Sequence, residues 1–223
     1  MIVVRHLFKA YRPVYAWFWG IVAVVLAGIA VSFEVFGHYT LDDERVSVWE
    51  SVGQQGPRWF LFVMGILFVT INLPVVIANG ITRRAYYRGA IIFTVLSAAA
   101  FTVLLMAGFG VEYAVYTANG MMAELPKEYP INSMGEAAKF AAKSFLALLA
   151  FMLSGWIVGL VFYRLRVWLA IALTPFAALP ISGASLPIDS WAAGVATAGL
   201  TIAVAVVIGF ILVRTCPIRT KKT

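Results

Sequence analysis

The chain has 223 residues, 62% of them hydrophobic and 12% charged, with a formal net charge of +7 and a mean hydropathy of +0.92. Soluble domains carry about 45–50% apolar and 25% charged residues, so a soluble globular domain is excluded and a polytopic membrane protein is indicated. Cys216 is the single cysteine, which excludes an intrachain disulfide, and with only His6 and His38 beside it a Cys/His metal site is not expected.

At the amino terminus Arg5, Lys9 and Arg12 recur at i, i+4 and i+7, while Val4, Leu7, Phe8 and Tyr11 take the opposite helical face. This pattern predicts a short amphipathic helix over residues 1–13, lying in the headgroup layer and ended by Pro13. The same basic residues also suit a plain positively charged lead-in to an anchor. Residues 14–223 then form a membrane domain. A span needs roughly 20 apolar residues, and six such runs follow: 15–36, 58–78, 90–111, 145–162, 167–181 and 191–213. The first is too long for a signal-peptide core and reads as an uncleaved anchor. Asn72 and Pro74 mark a polar, kinked place in the second. The predicted fold is all-α, with six transmembrane helices.

Between the second and third spans lies a basic elbow, Asn79-Gly80-Ile81-Thr82-Arg83-Arg84-Ala85-Tyr86-Tyr87-Arg88-Gly89. Gly80 lets the chain leave one span sharply and Gly89 lets it enter the next. The fourth span is preceded by Ser133-Met134-Gly135-Glu136, a capping box, so its helix starts before the apolar run, with Lys139 and Lys143 one turn apart on the extension. Ser154-Gly155 and Val158-Gly159 place small residues at the spacing that lets helices approach closely. In the fifth span Pro175 and Pro180 remove backbone donors, and the stretch from Thr174 to Gly183 reads as a broken or partly re-entrant helix. Two outer loops, 37–56 and about 117–142, hold Asp42-Asp43-Glu44, Trp49-Glu50, Asn119-Gly120, Pro126 and Pro130.

Charge orients the six spans. Arg5, Lys9, Arg12, Arg83, Arg84, Arg88, Arg164, Arg166, Arg214, Arg219, Lys221 and Lys222 fall on one side without a single acid. Arg45, Arg58, Lys127, Lys139 and Lys143 share the other side with all ten acidic residues. Lys and Arg are retained in the cytoplasm, so both termini are expected there. The expected partner of these charges is a lipid bilayer, not nucleic acid.

No Gly-x-x-x-x-Gly-Lys-Ser/Thr occurs, so no P-loop nucleotide hydrolysis is expected of the chain itself. Ser154, Ser182 and Ser185 lie near glycines, but no histidine is placed to serve as their base, which argues against an intramembrane enzyme. Glu34 and Glu112 lie at outer span ends, and the spans carry almost no other charge. No repeat relates residues 15–115 to 140–213. An ion-coupled carrier of small solutes is the alternative, weakened by those missing features.

The elbow Gly80-Ile81-Thr82-Arg83-Arg84-x-Tyr86-Tyr87 resembles the cytoplasmic turn of membrane subunits of type-2 ATP-binding-cassette exporters. The interfacial helix, six spans, internal termini and Pro-rich stretch before the sixth span are similar to that family along most of the chain. The resemblance implies a permease subunit in a bacterial cell membrane, paired with a second copy or homologue. Separate ABC ATPase subunits would bind the ATP and Mg, no cofactor belonging to this chain. It also implies that Gly80 to Tyr87 is a coupling helix, Arg83 and Arg84 pairing with acidic groups of the ATPase and Tyr86 and Tyr87 filling apolar hollows there. Its cargo would be a peptide, a lipid-linked molecule or another hydrophobic compound.

Overall fold

A computed structural model describes residues 2–36, 49, 53–118, 120, 129, 133–186 and 190–215, with residues 2 and 29–36 as backbone only. The described residues are helical, without a strand: α1 (Ile2–Phe36), α2 (Gln55–Leu67), a π-helical turn (Phe68–Asn72), α3 (Leu73–Ala78), α4 (Arg83–Ala118), α5 (Met134–Arg164), α6 (Val167–Ala177), α7 (Leu179–Ser185) and α8 (Trp191–Arg214). Six of the stretches so formed are long and apolar enough to cross a membrane. With the composition, they make this a multi-pass membrane protein. His38, the acidic segment 42–44, Arg45, Glu50, Asn119, Pro126, Lys127, Pro130, Cys216, Arg219, Lys221 and Lys222 lie outside the described residues.

The bundle is built around α5. Residues 147–161 are all buried, although the helix is as apolar as its neighbours, because α2, α4, α6, α7 and α8 surround it. Apolar side chains alone cannot draw helices together in lipid, so close packing must. A Cβ on Gly155 would run into the Phe62 carbonyl, and one on Gly65 into the Met152 carbonyl. The α2–α5 crossing therefore brings backbone against backbone, as the small residues at 154–159 predict. On the other flank Trp156 fills the space over Gly209 of α8. Outward faces are apolar too: Leu200 is 66% exposed and Ile171 60%, the surface expected to meet acyl chains.

The helix predicted to end at Pro13 does not end there. Residues 2–36 are one helix, and Pro13 lies within it. Pro13 removes one donor, but the packing stripe runs across it: Leu7, Tyr11 and Val22 are buried, Tyr15 and Phe18 partly so. Phe8 meets Phe93 edge-on at 5.0 Å, Tyr15 meets Phe101 at 5.2 Å, and Phe18 stacks on Phe60 at 4.0 Å. These contacts hold one helical register on both sides of the proline. The amphipathic pattern itself is real: Arg5, Lys9 and Arg12 are exposed opposite Leu7 and Tyr11. Its apolar face rests on α4.

The second span is irregular where Asn72 and Pro74 predict. The turn widens to a π-helix over Phe68–Asn72, with Pro74 in the first turn of α3. A π-turn exposes backbone groups that an α-helix would pair. One side chain compensates, Tyr86 donating its hydroxyl to the Phe68 carbonyl at 3.2 Å, while Asn72 donates its amide to the Tyr11 hydroxyl and so ties the turn to α1. The fifth span breaks at Ala178, between α6 and α7. Pro175 sits inside α6, and Pro180 lies at the start of α7, where a missing N–H costs little.

Candidate functional site at the basic end of the bundle

The elbow is a helix stop followed at once by a helix start. At the end of α3 the Ile81 amide donates to the Val76 carbonyl at 3.2 Å and the Gly80 amide to that of Ile77 at 2.9 Å. That pair is a Schellman motif, and it requires the left-handed backbone that Gly80 adopts at φ +77°. Ile81, the next residue, is partly buried against the core. Thr82 then caps α4, its hydroxyl accepting from the Ala85 amide at 3.3 Å. The Gly-Ile-Thr sequence thus has a folding role of its own, whatever binds the elbow.

Arg83 begins α4, so residues 83–87 are the first turns of the third span and not a separate coupling helix. This alters the expected roles of the tyrosines. Tyr86 is fully buried, stacked on Phe68 at 5.7 Å. Tyr87 is half-buried, donates its hydroxyl to the Val206 carbonyl at 2.8 Å, and meets Trp156 and Phe210 at 5.7 and 5.2 Å. Both rings pack against the chain's own helices, Tyr86 on Phe68 of the second span and Tyr87 on Trp156 of α5 and Phe210 of α8. Tyr86 is an internal anchor, and the expectation that it fills a hollow on a partner is corrected; Tyr87 is braced by the chain's own helices and keeps part of its surface exposed. Asn79, Gly80, Thr82, Arg84 and Arg88 remain exposed.

Other basic residues converge on the same end. A Cβ on Gly89 would touch Val3, which places the start of α1 beside α4. Arg83 donates from Nη1 to the Arg214 carbonyl at 2.9 Å, tying the start of α4 to the end of α8. Arg164 donates to Thr215 Oγ1 at 2.5 Å, adding the α5–α6 turn. Between α4 and α8 runs a shallow groove lined by Arg83, Arg84, Tyr87, Phe210, Val213 and Arg214. No acidic residue faces these guanidinium groups among the described residues. Pro175 and Pro180 lie away from this cluster, at and beyond the far end of α6.

At the opposite end a second constellation joins Trp49 and Tyr129 to α4. Glu112 accepts from the Trp49 amide at 3.1 Å and from the Tyr129 hydroxyl at 2.7 Å. Trp49 also donates its indole N–H to the Leu105 carbonyl at 2.9 Å, lying where a Cβ on Gly108 would collide with its ring. Glu112 is therefore a clasp for Trp49 and Tyr129. Sequence reasoning placed it only at a watery helix end, since its partners are distant in the chain. The signal within reach was Trp49, the one tryptophan of the first loop, and Tyr129, the one tyrosine of the second. Ser154 is fully buried at the α2–α5 crossing, and its Oγ finds no hydrogen-bond partner among the described residues. The capping residue Ser133 does accept from the Glu136 amide, at 3.1 Å.

Compared with family models, with curated proteins and with solved structures, the chain matches none of them.

Proposed function

We propose that the chain is the permease subunit of an ABC-type exporter, two such membrane subunits forming the pathway and separate ATPase subunits driving it. The observation that carries the reading is the elbow: an exposed, capped turn in which Gly80, Thr82 and Arg84 stand clear of the bundle. It is joined without slack to the second and third spans. A force applied to such a turn reaches both spans, which is what a coupling element requires. The contact surface in this reading is Asn79, Gly80, Thr82, Arg84 and Arg88, extended by Arg5, Lys9 and Arg12 of the neighbouring α1. Arg83 holds the end of α8, and Tyr86 and Tyr87 brace the elbow from inside. The absence of acids on this end favours an acidic cleft on the ATPase. The break between α6 and α7 provides a second place where the bundle can yield. In this reading the elbow and both termini face the cytoplasm of a bacterial cell, the side the charge partition supports.

A photo-crosslinker at position 82 or 84 tests the reading. The expected outcome is capture of a soluble subunit with a nucleotide-binding P-loop, together with ATPase activity that appears only in the complex. Nucleotide turnover by the purified chain alone would overturn it, as would crosslinks that never reach such a subunit.

A further inference from the structure

The groove between α4 and α8 shares Arg84 with the proposed ATPase contact surface, but its other features are not needed for coupling. Its floor is apolar, formed by Tyr87, Phe210 and Val213, and its rim is cationic, formed by Arg83, Arg84 and Arg214. Arg83 keeps one N–H on the Arg214 carbonyl, which fixes its guanidinium at the rim and leaves further donors directed elsewhere. Arg84 and Arg214 are exposed. Leu200, Val204, Val207 and Ile211 recur along one face of α8 and are 66%, 47%, 58% and 53% exposed. Arg214 continues that stripe at the next helical step. An apolar stripe long enough for an acyl chain thus ends at a groove of arginines where the membrane surface must lie.

We infer that this groove is a binding site for one anionic phospholipid, its phosphate held by Arg84, Arg214 and Arg83 and its acyl chain laid along α8. Charge complementarity selects the occupant: guanidinium forks match phosphate oxygens, and basic pockets at the cytoplasmic side of helices attract anionic headgroups. A soluble anion would use the rim but gain nothing from the stripe. The inference stands on the isolated chain and does not depend on the exporter reading.

The test is native mass spectrometry of the full chain in detergent, titrated with phosphatidylglycerol, phosphatidylcholine or inorganic phosphate. Phosphatidylglycerol should be retained at roughly tenfold lower concentration than phosphatidylcholine, and inorganic phosphate at millimolar levels should not displace it. Arg84→Gln with Arg214→Gln should abolish the preference. Both side chains are exposed, so folding is spared, and an unchanged melting temperature without lipid verifies this. Lys9→Gln with Arg166→Gln removes equal charge from the same end outside the groove and should retain the preference. Equal loss in both double variants would mean general surface charge and overturn the site. Equal retention of the two lipids, or displacement by phosphate, would overturn the choice of an anionic lipid. If the groove double variant melts early, Arg214→Gln alone should weaken phosphatidylglycerol severalfold, and no change there would also overturn it.

Discussion

Gly155 and Tyr86 show how single residues carry this bundle. Gly155 admits the Phe62 carbonyl so closely that any side chain must push two backbones apart. Overpacking of that kind costs about 1–3 kcal/mol, and more when the obstacle is backbone. Gly155→Leu should therefore lower the melting temperature in detergent sharply and reduce yield. Gly199→Ala, where a Cβ meets nothing within 4 Å, should be neutral, and equal melting of the two variants would remove the close-crossing argument. Tyr86 separates two roles. Removing its hydroxyl in Tyr86→Phe leaves the Phe68 carbonyl to find another partner, at about 1 kcal/mol. Tyr86→Ala opens a cavity as well, for roughly 3–5 kcal/mol in a core site. The expected signature is lost stability in the isolated chain, graded from Phe to Ala. A fully stable Tyr86→Ala that fails only to bind a partner would return the ring to an interface.

At the scale of elements, two spans depart from regular helix and each departure has local support. The π-turn of the second span is held by Tyr11 from α1 and Tyr86 from α4. Asn72→Leu leaves the buried Tyr11 hydroxyl without its donor, a loss of about 1–3 kcal/mol at a site that joins α1 to the bundle. Hydrogen exchange should then quicken in residues 3–12 before it quickens in α5. Uniform exchange across the chain would show that Asn72 does not fasten α1. The break at Ala178 lies between Pro175 and Pro180. Pro175→Leu with Pro180→Leu allows the two pieces to join. Insertion and melting should persist, while, on the exporter reading, the ATPase activity of the proposed complex falls; unchanged activity would make the prolines tolerated kinks.

For the whole molecule, contacts distant in sequence gather the start of α1, the elbow, the α5–α6 turn and the end of α8 at one end. Trp49, Glu112 and Tyr129 gather at the other. The charge partition predicts a compartment for each end, and cysteine accessibility checks it. In a Cys216→Ser background, cysteines at Thr117 or Glu136 should react with an impermeant thiol reagent on whole cells. Cysteines at Thr82 or Arg166 should react only after the membrane is opened. Labelling at Thr82 from outside would invert the molecule.

The span count, the elbow, the Ser133 cap and the break near Pro175 and Pro180 were legible because each is local. Hydropathy, helix grammar and proline chemistry act over a few neighbouring residues, so they can be read without a partner in space. The small residues of α5 were legible in the same way, though Gly65 opposite them was not. What tertiary structure decided is where side chains point. Tyr86 and Tyr87 read as interface aromatics in a line of sequence, yet Phe68 takes the first into the core and Trp156 and Phe210 hold the second. Pro13 reads as a helix end, yet aromatic packing on both sides carries the helix through. Glu112 reads as a solvated acid, yet Trp49 and Tyr129 converge on it. Local chemistry sets where helices begin, end and weaken. Long-range packing sets which face is spent within the chain and which is left for lipid or a partner.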